Sequence, residues 1–303
     1  MDEPGLENQD AAARRRRGSL LAVGAFAIWG FLPIYWKAIG HVGVLTIVGH
    51  RVVWSLVFLI PLLAIRGTLS KVAQGFTSPS VIGAHLLSGV LLGVNWFLFI
   101  LATLTDRVLE AAFGYFLNPL LNVAIGWFLL GERRDKRQWL AVGLAAAGVF
   151  LQARAIGGMP WFGLGLAVSF ALYGLARKKS PFGSLEGLAM ETVLLIPVAI
   201  GFFAFAPTEP LRGTRDIVLL GFAGVVTAMP LLLFASAARR LDLARLGMLQ
   251  FLAPTLHFLV GHFVYGEALS PARLLSFVVI WTGVAVFLSE HWSRSKPPPA
   301  VPG

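Results

Sequence analysis

The sequence has 303 residues, of which 57% are hydrophobic and only 13% are charged. Soluble domains carry about 25% charged residues, and a fold of this size in water cannot bury so much apolar surface. An ordinary soluble protein and a disordered chain are both excluded, which leaves a polytopic membrane protein.

Ten apolar runs follow one another along the chain, and each approaches the roughly 20 residues that a helix needs to cross a bilayer. The runs are continuously apolar, whereas the strands of a membrane barrel alternate. We therefore predict an all-α integral membrane fold with ten transmembrane helices. The predicted spans are 19–39, 44–65, 81–104, 109–130, 138–153, 160–176, 187–206, 216–238, 244–265 and 271–289.

The first span follows the basic run Arg14–Arg17, as the apolar region of a signal peptide would. Its apolar stretch is too long for a signal peptide, however, and no small-residue cleavage site follows it. We predict a retained first helix with residues 1–18 as a cytoplasmic arm and residues 291–303 as a cytoplasmic tail. Residues 1–13 and 296–303 are expected to be disordered.

The net charge of +10 is distributed unevenly among the loops. If the N-terminus is cytoplasmic, eighteen Lys and Arg residues fall in inner segments and six in outer ones. This is the positive-inside bias, so the charge predicts topology rather than nucleic-acid binding. Both termini are predicted to be cytoplasmic.

Polar residues inside spans are candidate site residues, because an ionisable group in hydrocarbon costs roughly 2.5–3.5 kcal/mol on insertion scales. The second span carries His50, Arg51 and Trp54, with Arg51 about 10 Å from the outer end of the helix. We expect Arg51 to pair with Glu110 at the outer start of the fourth span, or to meet an anionic substrate. The alternative is that Glu110 only caps its helix.

Two polar stripes are predicted to line a common cavity. Tyr115, Asn118 and Asn122 share one face of the fourth span, because their spacing is three and four. Gln250 and His257 are spaced similarly in the ninth span. The alternative is hydrogen bonding between helices, which is worth about 0.6 kcal/mol per bond in membranes.

Other candidates are prolines, aromatic residues and one acid. Pro119 and Pro254 are predicted to kink the fourth and ninth spans as gate elements. Asn95 and Trp96 of the third span are candidate wall residues, since aromatic faces suit a flat ligand or a cation.

Glu191 is the acid that lies well inside a span, toward the predicted inner side. We expect it in the cavity, where a pair with Arg245 at the start of the ninth span would mirror Arg51–Glu110 with the signs exchanged. Alternatively, Arg245 extends its side chain to the inner surface.

An internal repeat links the two halves. At an offset of 135, residues 116–132 (FLNPLLNVAIGWFLLGE) match residues 251–267 (FLAPTLHFLVGHFVYGE), and Gly148 matches Gly283. The repeat unit holds five spans, an odd number, so the second copy enters the membrane from the opposite side. We predict a 5+5 inverted-topology repeat over 19–154 and 160–290, which is typical of secondary transporters. The alternative is a duplication kept only for packing.

The motifs in these spans resemble the drug/metabolite transporter superfamily, EamA type, and within it the RarD group. The resemblance covers about residues 19–290 and implies a ten-helix inner-membrane transporter that acts as an exporter. The group's name is linked to chloramphenicol sensitivity without a defined substrate. The residues that carry it are Trp29-Gly30, His50-Arg51, Trp54-Ser55, Asn95-Trp96, Glu110, Gly114-Tyr115, Asn118-Pro119, Gly131-Glu132, Tyr173, Arg177, Glu191-Thr192, Gln250, Pro254-Thr255 and Tyr265-Gly266-Glu267.

The predicted function is therefore a multi-pass secondary transporter of a small organic metabolite or drug-like solute, working by alternating access, and not an enzyme. The alternative is an integral membrane enzyme that acts on a lipid-like substrate. Expected partners are the small-molecule substrate and the bilayer, with no nucleic acid, and the chain is expected to be a monomer or homodimer.

No cofactor is expected. No Walker sequence is present, and the absence of cysteine excludes cysteine-bound metals. The transport is compatible with proton coupling through His50, Glu110 or Glu191 and equally with facilitated diffusion.

Overall fold

The long apolar runs form helices, because a chain in hydrocarbon must satisfy its backbone N–H and C=O groups within its own segment. The computed structural model describes residues 3–130, 136–178, 180–205, 211–238, 240–241, 246 and 248–294, and the regular structure in these ranges is helical throughout. The helices are α1 (Glu3–Ala38), α2 (Val44–Ile65), α3 (Leu69–Gly75), α4 (Pro79–Leu104), α5 (Val108–Leu130), α6 (Lys136–Ile156), α7 (Trp161–Lys178), α8 (Ser184–Phe205), α9 (Thr214–Ala238), α10 (Leu252–Leu259) and α11 (Pro271–Arg294). A π-helical turn, Val260–Val264, follows α10.

Seven helices in the described part of the chain are long and apolar enough to cross a membrane: α1, α2, α4, α6, α8, α9 and α11. The helix Trp161–Arg177 and the segment Leu252–Val264 are shorter and also apolar. By length and composition the chain is a multi-pass, all-helical membrane protein.

Two segments differ from the prediction. The helix α1 begins at Glu3, so the expected disorder of residues 1–13 is wrong from Glu3 onward. Ala11 to Ala13 and the arginines after them are strong helix formers, and they continue the span toward the N-terminus. In the ninth span residues 246, 248 and 249 are helical, a turn follows at 250–251, and the helix α10 begins at Leu252. Arg245 and residues 296–303 lie outside the described residues, and with them the expected Glu191–Arg245 pair and the disorder of the tail.

One end of the bundle, which we call the Glu267 end, gathers the loops after α1, α4 and α10. The Glu267 carboxylate accepts hydrogen bonds from the backbone N–H of Val108 at 2.5 Å and of Leu109 at 2.9 Å. These amides belong to the first turn of α5 and have no partner within the helix. Lys37 pairs with Asp106 across the neighbouring loops. The C-terminal ends of α1, α4 and α10 therefore meet the N-terminal end of α5.

The helix contacts fall into pairs when α1, α2, α4, α5 and α6 are matched in order with α7, α8, α9, α10 and α11. Under this matching, α1 on α9 corresponds to α7 on α4, α2 on α9 to α8 on α4, and α1 on α10 to α7 on α5. The contacts α2 on α8, α5 on α10 and α6 on α11 map onto themselves. These principal interfaces join the first half of the chain to the second.

Glycines separated by 135 positions lie at matching interfaces. A Cβ at Gly283 of α11 would lie 3.2 Å from the Ala141 carbonyl of α6, and one at Gly148 of α6 would press on Ile280 of α11. Likewise, a Cβ at Gly89 of α4 would lie 3.3 Å from the Glu191 carbonyl, and one at Gly224 of α9 would overlap the backbone of α2. Small residues at such positions let helices approach closely in a membrane.

Candidate functional site

Arg51 lies over two indole rings from the first half of the chain. Its guanidinium carbon lies 4.2 Å from the ring centre of Trp96 and 5.2 Å from that of Trp36. All three residues are buried, and Arg51 is only 4% exposed. A guanidinium over an indole face is stabilised by the quadrupole of the ring. We call Arg51, Trp36 and Trp96 the Arg51 site.

Several N–H groups of the Arg51 site lack an acceptor. Arg51 Nε, Arg51 Nη1 and Trp36 Nε1 are buried without a hydrogen-bond partner. A buried donor without a partner costs about 1–3 kcal/mol, and more when it is charged. Stacking on indoles compensates the charge of Arg51 but supplies no acceptor to its N–H groups.

A short polar chain of hydrogen bonds runs from α5 to α7. The Tyr115 hydroxyl donates to Asn95 Oδ1 at 3.2 Å, and Asn95 Nδ2 donates to Ser169 Oγ at 3.0 Å and to the Leu166 carbonyl at 3.1 Å. Asn95 precedes Trp96 on α4, and Trp36 and Tyr115 pack in one hydrophobic cluster. The hydrogen bonds from Tyr115 to Ser169 therefore lie next to the Arg51 site.

His257, from the second half of the chain, packs against the region around Tyr115. Its ring lies 5.6 Å from that of Tyr115 and 5.1 Å from that of Phe99, centre to centre. His257 Nε2 lies 3.0 Å from the Trp29 carbonyl. A carbonyl only accepts, so Nε2 carries the proton and Nδ1, buried without a partner, is an acceptor in the neutral ring. The predicted residues Arg51, Asn95, Trp96, Tyr115 and His257 are therefore brought into one region.

Contacts between the described residues do not join the other predicted cavity residues to this group. His50 and Trp54 contact each other on α2, with Trp54 Nε1 donating to His50 Nδ1 at 3.2 Å, and Trp54 is exposed. Asn118 is buried with no partner for its Oδ1, Asn122 is exposed, and Gln250 is half-buried before the start of α10. No contact between described residues joins Asn118 to Gln250, so the cavity that the two were expected to share stays a prediction.

The expected Arg51–Glu110 pair does not form. Glu110 Oε1 accepts a hydrogen bond from the Phe162 backbone N–H at 3.0 Å, and its Oε2 lies 3.5 Å from Arg107 Nη1. The reason is tertiary: α5 packs on α7 and α10, whereas α2 packs on α8 and α9. Glu110 therefore ties the first turn of α5 to the start of α7.

Glu191, fully buried on α8, has several partners. Its Oε1 accepts from the Ser88 hydroxyl at 2.6 Å and its Oε2 from the Tyr173 hydroxyl at 3.3 Å. Arg177 Nη1 lies 3.5 Å and His85 Nδ1 3.6 Å from Oε1. We call these residues the Glu191 cluster; it joins α4, α7 and α8.

The prolines differ in their placing. Pro119 lies in the interior of α5, whereas Pro254 lies in the first turn of α10. A proline in a first turn removes no intrahelical hydrogen bond, so the helix need not bend there. Interior prolines also occur in α1, α2, α8 and α9.

Sequence reasoning missed several partners. Trp36 was not selected, since one more aromatic residue in an apolar run carries no visible signal. His85 and Ser88 were detectable as polar residues three apart on one face of α4. Glu267 was predicted from its repeat position at a helix end to stabilise a loop, but its partners in the first turn of α5 were not predicted.

The described residues contain no group of three or more His, Asp or Glu side chains that could hold a metal ion. The chemistry available at the Arg51 site is recognition, with one buried cation, free N–H donors and aromatic faces. Nothing in this arrangement requires a covalent step.

Comparison with known proteins gives a family match over nearly the whole chain. The model of the EamA-like transporter family matches residues 16–154 and again residues 158–289. The chain is 42% identical to protein RarD of Salmonella typhi over 284 residues, covering 92% of this chain and 97% of that protein. It is 40% identical to an uncharacterized transporter of Vibrio cholerae, covering 93% of both.

A more distant relative is the chloramphenicol-sensitive protein RarD of Pseudomonas aeruginosa, 30% identical over 92% of this chain and 95% of that protein. A solved crystal structure is similar with a TM-score of 0.62 at 21% identity, covering 92% of this chain and 99% of the other. At that identity the structural likeness concerns the fold alone.

Proposed function

The chain belongs to the EamA-like transporter family and is a membrane transporter of the drug/metabolite type, and from this premise we propose that it moves a small organic metabolite or drug-like solute across the bacterial inner membrane by alternating access. Because the matched family and the Vibrio cholerae relative are named as transporters, the membrane-enzyme alternative is not retained. Export is the proposed direction, by family resemblance.

The proposed mechanism rests on the paired helix interfaces. The principal contacts join the two halves, and each has a counterpart when the halves are exchanged. Two similar halves packed in this way can rock about a site at their interface, as in transporters with inverted repeats. The two successive family matches, over residues 16–154 and 158–289, support the division into two repeats.

We also propose ten membrane spans, with both termini in the cytoplasm. The meeting of α1, α4, α5 and α10 ends around Glu267 supports alternating directions of successive spans. The Lys and Arg bias supports the orientation. Reporter fusions after residues 40, 107 and 212 should report the outside, and fusions after 70, 135 and 178 the cytoplasm. A reversal at any of these positions would contradict the proposed topology.

The proposed solute region comprises Arg51, Trp96 and Tyr115 from the first half and His257 from the second. These residues put polar groups and aromatic faces where α1, α2, α4, α5 and α10 meet. Binding residues drawn from both halves would change their spacing as the halves rock, which is the coupling that alternating access requires.

Counterflow in liposomes tests the transport proposal. Purified full-length protein is placed in liposomes loaded with a mixture of metabolites and chloramphenicol, and exchange with external isotope-labelled solutes is followed by mass spectrometry. Protein-free liposomes are the control. Selective exchange of a subset of solutes is expected, and identical exchange in both preparations would contradict the proposal. Repeating the assay with an imposed pH gradient separates proton coupling from facilitated diffusion.

A further inference from the structure

We infer that the Arg51 site binds the carboxylate group of an organic anion, with the flat apolar part of that anion against the neighbouring aromatic rings. The inference rests on the proposed transport function, since it names the class of solute. It is carried by the buried cation and by the N–H groups around it.

Arg51 has no counterion among the described residues. It is 4% exposed, and the acids that could reach the interior are engaged elsewhere. Glu110 is bound to the Phe162 backbone and to Arg107, and Glu191 to Ser88 and Tyr173. A lone guanidinium in a membrane interior is costly, and such residues commonly mark solute or ion pathways.

The unsatisfied groups select the charge of the ligand. Arg51 Nε, Arg51 Nη1 and Trp36 Nε1 are all donors without acceptors. A carboxylate supplies several acceptor positions and one negative charge, so it can satisfy donors that stacking leaves free. An ammonium group supplies neither acceptor nor negative charge, and a neutral amide supplies a single weaker acceptor. Guanidinium geometry also matches a planar carboxylate better than a lysine ammonium does.

The surrounding rings select the shape of the ligand. The guanidinium lies over the rings of Trp36 and Trp96. The rings of Tyr115, Phe99 and His257 lie within about 6 Å of one another. Flat rings stack or meet edge to face on such walls, which adds to the gain from burial. A carboxylate carried on a flat apolar body therefore fits both features.

The test measures binding of matched carboxylate and amide pairs to the full chain in phosphatidylcholine nanodiscs by equilibrium dialysis. The pairs are benzoate with benzamide, indole-3-acetate with indole-3-acetamide, and hexanoate with hexanamide. Each pair keeps its shape and changes its charge. We expect at least a tenfold preference for the carboxylate in an aromatic pair and a smaller one for hexanoate.

Arg51→Gln should abolish that preference, whereas the control Arg107→Gln should keep it. Arg107 also lies over an aromatic ring, that of Phe162 at 5.0 Å, but its side chain is half-exposed at the Glu267 end. If Arg51→Gln does not fold, Trp36→Phe removes one N–H donor together with part of the ring face, and it should lower the preference for carboxylate over amide several-fold. No carboxylate preference in any pair, or a preference that survives the folded variant, would overturn the inference.

An anionic lipid headgroup is the other source of an oxyanion. Adding phosphatidylglycerol to the nanodiscs should leave carboxylate affinity unchanged, and competitive loss of binding would assign Arg51 to lipid instead. Flux separates this inference from the proposed function. Carboxylate binding without any counterflow would contradict the proposed transport function and support the Arg51 site. Counterflow of neutral solutes that does not depend on Arg51 would support transport and contradict the carboxylate inference.

Discussion

Arg51 on α2 and Glu191 on α8 are buried charges of opposite sign at matching positions of matching helices. Each helix has 22 residues, and each charge lies seven residues after the first residue of its helix, Val44 or Ser184. Their surroundings differ. Glu191 receives two hydroxyl hydrogen bonds and lies near two basic side chains, whereas Arg51 has indole faces and unsatisfied donors.

The difference indicates that Glu191 stabilises the fold, whereas Arg51 is available to bind a ligand. A buried charge with a full set of partners stabilises the arrangement that holds it, and removing it leaves those partners uncompensated. A buried charge without acceptors contributes little to folding and is available to a ligand. Variants at the two positions should therefore lose different properties.

The largest expected loss of stability is at Glu191. Glu191→Gln would leave the Arg177 charge and the His85 ring without the carboxylate that lies near both. Breaking a buried pair from one side costs about 3–5 kcal/mol, so we expect a much lower melting temperature and little monodisperse protein in detergent. Glu186→Gln, in the first turn of the same helix, is the matched control and should stay close to the parent. Equal stability of the two variants would show that the Glu191 cluster does not stabilise the fold.

Glu267 should come next, since its carboxylate accepts from two amides of the first turn of α5. Glu267→Gln replaces charge-assisted bonds with a single weaker acceptor, and we expect a loss of about 1–2 kcal/mol, in the range of helix-capping residues. Thermal unfolding measures the loss, with Glu186→Gln again as the control that removes one carboxylate charge near the start of a helix. No difference between the two would mean that these hydrogen bonds do not hold the Glu267 end together.

Arg51→Gln should change stability by less than about 1 kcal/mol. The lost stacking on indoles, about 0.5–2 kcal/mol, is offset by removal of donors that have no acceptor. Thermal unfolding without ligand is the measurement, because bound solute would stabilise the parent alone. A loss of stability as large as that of Glu191→Gln would show that Arg51 is a structural residue and that the two buried charges do not differ in role.

The smallest effect is expected for the exposed pair of Lys37 and Asp106 at the Glu267 end. Asp106 has a positive φ of 57°, which asparagine also tolerates. Asp106→Asn removes the charge and keeps the backbone, and exposed pairs contribute about 0.2–1 kcal/mol. A melting temperature within about 2 °C of the parent is expected, and a larger drop would show that stability at this end depends on exposed charges.

Sequence predicted the helical membrane architecture well, because the length of an apolar run is a local property. Predictions that depended on contacts between helices were less successful. Arg51 was matched with Glu110 by depth alone, but depth does not say which helices face each other. Asn122 was assigned to the cavity face by spacing alone, and that assignment stays a prediction. Spacing fixes the face of a helix, and only packing decides what that face meets.

The candidate site was predicted in part. Arg51 was found because a charge inside an apolar span is conspicuous, and Asn95, Trp96, Tyr115 and His257 were found as polar or aromatic positions in spans. Trp36 was missed, although it carries an unsatisfied donor next to Arg51, because its role depends on the neighbouring helix. The members of the Glu191 cluster lie on three helices, so no spacing along the chain could assemble them.

The most direct test of the contrast is flux per folded molecule, measured as counterflow divided by monodisperse protein recovered from the membrane, for Arg51→Lys and Glu191→Gln. Arg51→Lys keeps the charge and loses the planar donors, so its abundance should match the parent while its flux per molecule falls at least tenfold. For Glu191→Gln, abundance should fall while the remaining folded molecules keep most of their flux. The reverse pattern, with Arg51→Lys scarce but active and Glu191→Gln abundant but inactive, would contradict the assignment of Arg51 to the solute and Glu191 to the fold.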